Sequence, residues 1–439
     1  MQPRVCSRRS FLHTTSILTA GAPFALSTAA GFVSGAEPAA KTFADAKVAI
    51  ASCKTYGPQE VRAAYGQCFD LLGGVGSLVK GKTVTIKINL TGTNFTPFLN
   101  RPVGETYMTH ETTAQALASA LFKAGAKRIV FVESTQSRAS LEGTLDLAGW
   151  DVKALNALGD VQYENTRNLG SGKSYSHLKV PTGGLMFSSF DVNHRYLDTD
   201  VMVSLCKLKN HITAGVTLSM KNMFGITPNS LYGDNAGDED ATAGRGPLHN
   251  RNDKIKLPGF KEGITSNEAM WRVPRIIIDE IAARPLHLCV IDGITSMSGG
   301  EGPWCGNANP LKFTSSGMLI VGFNGVSTDA VGTAVMGYAD PRAVRGRKPF
   351  DFCDNHVLMG SRRDSAPRIC QRSTCAECPS RRRAILTTSD LSWAPRGILG
   401  EAPTSELHKP QGWRIAIFSR TSPGSLANII PCIAFCVAS

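Results

Sequence analysis

Val201-Met202-Val203-Ser204-Leu205-Cys206-Lys207-Leu208-Lys209-Asn210-His211 is the stretch that decides the fold. Its first six residues form an almost continuous apolar run, strand-like in length. A strand that is apolar on both faces belongs in a parallel sheet covered on both sides. The run then ends in two lysines, an asparagine and a histidine. So much charge at the end of a buried strand is costly unless something negative or polar meets it. In open α/β sheets, ligands bind beyond the C-terminal ends of the strands.

The rest of the chain repeats the pattern. Thr83-Val84-Thr85-Ile86-Lys87-Ile88 is β-branched and bounded by Gly81 and Gly92. Ala114, Leu117, Ala118 and Leu121 make one apolar face at helical spacing, and Gly125 suits the helix end. Ile129–Val132, His287–Ile291 and Gly317–Gly322 are further apolar runs, the last followed by a helix over Thr328–Met336. Alternating strands and helices predict an α/β fold, a mostly parallel sheet with helices on both faces. Residues 228–262 are polar and Gly-rich and interrupt it as a solvated, mobile loop insertion. Their acids lack the spacing of a calcium loop.

The 439 residues are 42% hydrophobic and 19% charged, a globular balance. The net charge of +12 sits mostly at the ends: +3 falls in residues 1–36 and +6 in residues 358–439. The body shows no basic patch with interleaved aromatics, so nucleic acid is not expected as a partner. Ser7-Arg8-Arg9-Ser10-Phe11-Leu12 matches a twin-arginine signal, with small residues Ser34-Gly35-Ala36 before a cleavage point at Glu37. The expectation is export by the twin-arginine machinery to the periplasm or beyond, without a stable membrane anchor. The stretch from Thr14 to Val33 is too polar for a span and contains Pro23. Cys53, Cys68, Cys206, Cys289, Cys305 and Cys353 are scattered without a spacing that argues for a disulfide.

Familiar catalytic motifs fail. Gly172-Lys173-Ser174 lacks the first glycine of a P-loop, because Arg167 stands there. Gly74-Val75-Gly76 lacks the third glycine of a dinucleotide fingerprint, because Val79 stands there. There is neither a Gly-x-Ser-x-Gly elbow nor a His-Glu-x-x-His pair.

What remains is a constellation at strand ends: Lys87, Asn89, Glu133, Lys207, Lys209 and Asp292. Lysines suit phosphate or carboxylate groups. His211 suits proton transfer or metal ligation, and Asn222 can donate and accept together. Thr217, Ser219 and Lys221 share one face if their segment is a strand, whereas Thr217 and Lys221 become neighbours if it is a helix. The expected catalytic residues are His211, Lys209 and Lys221. The expected ligand-binding residues are Lys87, Asn89, Lys207, Thr217, Asn222, Glu133 and Asp292, and the metal, if there is one, is unknown.

Several segments carry a resemblance. They are Thr109-His110-Glu111, Gly125–Val130, Glu133-Ser134, the Lys207–His211 and Thr217–Gly225 stretches, Asp292-Gly293-Ile294, Gly300-Glu301-Gly302-Pro303 and Ser327–Val331. In this order the chain resembles the family called domain of unknown function 362, from about Lys82 to about His356. The resemblance implies one α/β domain, assigned here to residues 46–357, with a binding or catalytic site. It implies no known reaction. Residues 358–439 depart from it as an atypical arginine-rich tail, read as a shifted frame or a disordered segment. Cys370, Cys375 and Cys378 in that tail lack a convincing fourth ligand for an iron–sulfur cluster.

The expected function is that of an enzyme or cofactor-dependent protein acting on an anionic small molecule, with a metal ion as a candidate cofactor. A non-catalytic periplasmic ligand-binding protein is the alternative, and iron–sulfur electron transfer the third reading.

Overall fold

The computed structural model describes residues 47–364 apart from 93, 94, 182 and 307–309, together with two strands at 414–419 and 433–438. All of these belong to one compact unit, Thr42–Ser439. The signal segment and Cys370, Cys375 and Cys378 lie outside the described residues.

In chain order the strands are β1 (Lys47–Ser52), β2 (Thr83–Lys87), β3 (Arg128–Glu133), β4 (Val161–Asn165), β5 (Ser176–Lys179), β6 (Ser189–Val192) and β7 (Val201–Lys207). There follow β8 (Lys209–His211), β9 (Gly215–Thr217), β10 (Leu288–Gly293), β11 (Ser296–Ser298), β12 (Lys312–Thr314), β13 (Met318–Gly322), β14 (Arg414–Ser419) and β15 (Ile433–Ala438). The central sheet runs β14-β15-β1-β13-β10-β7-β2-β3-β4. From β1 to β4 it is mostly parallel: β10–β7, β7–β2, β2–β3 and β3–β4 are parallel, while β1 and β10 flank β13 antiparallel. β15 adds antiparallel to β1, and β14 to β15. Three hairpins, β5–β6, β8–β9 and β11–β12, stand outside the sheet.

Strand side chains alternate between two apolar cores. Val84, Ile86, Ile129, Phe131, Val201, Val203 and Leu205 enter the first, against helices Pro58–Leu72 and Glu111–Lys123. Val130, Val132, Met202, Cys206 and Ile291 enter the second, against helices Ala269–Ala283 and Gly325–Val335. The α/β architecture is as the sequence predicts, with boundaries displaced by one to three residues. Gly125 holds φ +97° just past helix Glu111–Lys123, the left-handed position that ends a helix without a Cβ penalty.

The structure corrects the reading of 228–262 as a solvated loop. Its acids Asp234, Asp238, Glu239 and Asp240 are exposed, but Tyr232, Leu248 and Leu257 are buried in the second core. Arg167 Nη1 donates to the Glu239 and Ala241 carbonyls and anchors the segment. The apolar residues are too widely spaced to show a period, which hides their burial from a sequence pattern. Helix His356–Asp364 also runs across the expected domain end at 357, with Val357 in the second core.

Candidate functional site

β2 and β3 end side by side, and their last residues form a buried ion pair. Lys87 Nζ lies 2.6 Å from Glu133 Oε1 and donates to the Ile88 carbonyl at 2.8 Å. Glu133 is also held by backbone N–H groups, from Ser134 at 2.9 Å and Leu90 at 2.7 Å. Above the pair lies a cavity of about 120 Å³.

Eight of the ten expected residues line this cavity: Lys87, Asn89, Glu133, Lys209, His211, Thr217, Lys221 and Asn222. The segment after Gly215 is strand and then helix, β9 followed by Ser219–Asn222, and this change of conformation brings Thr217, Lys221 and Asn222 to one wall. Asp329 fixes the helix start by accepting the Ser219 and Met220 N–H groups, each at 2.8 Å.

Lys207 and Asp292 do not line the cavity, contrary to expectation. They pair with each other at 3.0 Å, both fully buried, and Tyr56, Thr113 and the Gly104 carbonyl complete their shell. Strand parity within β7 and β10 places these two, whereas Lys209, two residues past Lys207, escapes it because β7 ends at Lys207 and Lys209 begins the β8–β9 hairpin. Val201, Val203 and Leu205 face the first core, and so does Lys207; Leu288 and Val290 do likewise for Asp292. Beside this pair, the His110 ring stacks on Tyr56 at 3.6 Å. His110 also lines a second cavity of about 210 Å³ together with Phe95, Val103, Met108 and Trp150.

Within the first cavity the basic groups differ in their partners. Lys209 Nζ donates to the Tyr107 and Glu301 carbonyls. Two of its three protons are thereby committed, and one direction is left over. Burial pushes its amine down to about 7, against the opposing field of Glu301. Lys221 Nζ lies 4.3 Å from the centre of the Phe224 ring, and burial brings its amine down to about 8. His211 is pushed well below its ordinary value, chiefly by burial. Its Nδ1 accepts the Thr213 N–H at 3.2 Å, so the ring is neutral and the 3.9 Å approach to Glu301 is not an ion pair. Burial works against the Glu301 charge, and the Ile212 N–H, donating to Oε2 at 2.9 Å, favours it.

The sequence reading missed Arg245, Glu301 and Glu280. Arg245 sits half-buried in the cavity wall from inside the polar stretch; its Nε donates to the Thr227 carbonyl, and its buried Nη2 has no partner among the described residues. Glu301 stands in the Gly300–Pro303 segment quoted above, but nothing in that segment signalled where its carboxylate would go. Glu280, on helix Ala269–Ala283, is fully buried with neither carboxyl oxygen partnered, and burial pushes its acid well above the usual range. The described residues contain no group of three or more His, Cys, Asp or Glu arranged to hold a metal ion. The six described cysteines are buried free thiols.

The model of a domain of unknown function, DUF362, matches residues 84–334, more than half of the chain and every cavity residue named above. The chain belongs to this family. A DUF362 domain thus carries the parallel part of the sheet and the whole cavity. A thylakoid-associated protein of Synechocystis sp. is 28% identical over 188 residues, or 42% of this chain and 51% of that protein. The chain therefore spans about half the length of this curated relative. A Thermotoga maritima protein of known crystal structure is 14% identical, covering 64% of this chain and 59% of that one, with a TM-score of 0.33. Among the described residues, no helix is long and apolar enough to cross a membrane.

Proposed function

We propose that the cavity at the ends of β2, β3 and β7 binds a small anionic molecule and moves a proton on it. One observation carries the reading. Among the described residues the Lys87 charge is answered by Glu133, whereas Lys209, Lys221 and Arg245 line the same cavity with no ion pair. Glu301 offers one negative charge on the same wall to the buried Lys209 and the half-buried Lys221 and Arg245, and an anionic ligand supplies the remainder.

Lys209 is the proton-transfer group in this reading. As an ammonium it directs one N–H into the space left by its two carbonyl partners; as an amine it directs a lone pair there. With a value of about 7, both forms are populated near neutrality. Lys221 and Arg245 hold the anion, Asn89, Thr217 and Asn222 orient it, and neutral His211 supplies a hydrogen bond. Lys207 and Asp292 act on the far side of the sheet as structural supports.

Small carboxylates and phosphate should stabilise the folded protein, by about 2.7 kcal/mol at a hundredfold excess over Kd. Arg245→Gln should abolish that shift while leaving the fold intact by circular dichroism. An unchanged shift in this variant would sink the site assignment. If the ligand binds and is never chemically altered, the chain is a ligand-binding protein and Lys209 a binding group only. We further propose export through the twin-arginine route; an N-terminus other than Glu37 on the secreted protein would count against it.

A further inference from the structure

The unpartnered polar atoms around the cavity have opposite polarities, and this narrows the ligand beyond its being an anion. Asn222 gives the clearest case. Its Nδ2 donates to the Lys87 carbonyl and to Ser204 Oγ, each at 3.0 Å. The Ser204 hydroxyl proton is itself used on the Ser219 carbonyl at 3.1 Å. Ser204 must therefore accept, and the Asn222 amide cannot turn over. Its Oδ1 is left buried with no partner among the described residues. Asn89 Oδ1, on the same cavity, is likewise buried with no partner among the described residues, though no bond fixes the orientation of its amide as Ser204 does for Asn222.

An amide oxygen is an acceptor only, and a carboxylate oxygen placed against it is repelled. Leaving such an acceptor buried and unmet costs the full desolvation penalty. An ammonium donor on the ligand is opposed by Lys209, Lys221 and Arg245. A neutral hydroxyl meets the amide oxygens without that opposition, while anionic oxygens on the same molecule meet Arg245 Nη2 and Lys221.

We propose that the ligand is an anion bearing an adjacent O–H donor, a class that contains small hydroxy-carboxylates and hydrogen phosphate. The inference rests on the anion-site reading above. The cavity volume of about 120 Å³ limits such a ligand to a few heavy atoms.

Matched pairs separate this proposal from the reading beneath it. Calorimetry on the full chain would compare glycolate with acetate, and hydrogen phosphate with sulfate. The hydroxylated member of at least one pair should bind about tenfold tighter or more, since a buried acceptor discriminates against an analogue that leaves it unmet. The pair that shows the preference identifies which of the two chemistries applies. Asn89→Leu and, separately, Asn222→Ser should shrink the ratio of affinities within that pair, whatever their effect on either anion alone. Equal binding within both pairs overturns the donor inference and leaves the anion site standing. No binding of any of the four anions to folded protein overturns both.

Discussion

Lys87 Nζ and Glu133 Oε1, 2.6 Å apart, join the tips of adjacent parallel strands β2 and β3, with side-chain exposures of 1% and 5%. Removing one member of such a pair strands the other charge in a dry site. Lys87→Met should cost about 3–5 kcal/mol in denaturant unfolding. Glu133→Gln added to it should recover part of the loss by removing the stranded charge, but only part, because the Ser134 and Leu90 N–H groups meet different carboxylate oxygens and an amide offers one. A double variant no more stable than Lys87→Met alone would show that the loss came from packing.

Gly225 adjoins the same pair. A Cβ there would stand 3.0 Å from Lys87 Cε and Nζ and 3.5 Å from Glu133 Oε1. Gly225→Ala should therefore destabilise by about 1–3 kcal/mol through overpacking. The two sites touch, so their effects should not add. In a Lys87→Met background the Gly225→Ala cost should shrink, as a double-mutant cycle would measure.

Lys207→Met should separate stability from binding. Lys207 is buried against Asp292 and absent from the cavity wall. The variant should melt at a lower temperature than the parent, yet the upward shift on adding anion should match the parent's. Loss of that shift would return Lys207 to the site.

The pH dependence follows from Lys209 and Lys221, held at about 7 and about 8. An anion favours the ammonium forms, so binding takes up protons. Affinity should be level below about pH 7 and then fall through 7 and 8, by at most about tenfold per pH unit for each lysine. Calorimetry in buffers of different ionisation heat would detect the uptake. The sign reverses for the ligand-free fold. Both values lie below the 10.5 of an unperturbed lysine, so the unfolded chain binds more protons in between. These two groups therefore make the folded state more stable as pH rises from about 7 towards 10.5.

Much of this was legible in the chain because it was local. β3 and β7 are short, continuous, Val-rich apolar runs, and that length and composition favour a buried strand over a helix. The hairpins β5–β6, β8–β9 and β11–β12 were not legible, since strands of three or four residues carry no period. Eight cavity residues could be read as charge or amide groups in and just beyond the strand ends. Arg245 could not, because the loop that buries it is held by contacts distant in sequence, such as Arg167 with Glu239. Counting in twos from Val201 and from Leu288 places Lys207 and Asp292 on the opposite face from Lys87, but the same count misplaces Lys209, because where β7 would end was not legible.

Lys207 and Lys209 both reach one loop from a single short stretch, the first at the Gly104 carbonyl and the second at that of Tyr107. Gly104 borders the larger aromatic cavity, so one wall of it is riveted to the strand tips by two amino groups. Both fastenings end on backbone carbonyls, so a side-chain change in that loop can reshape the cavity it borders without loosening the loop itself.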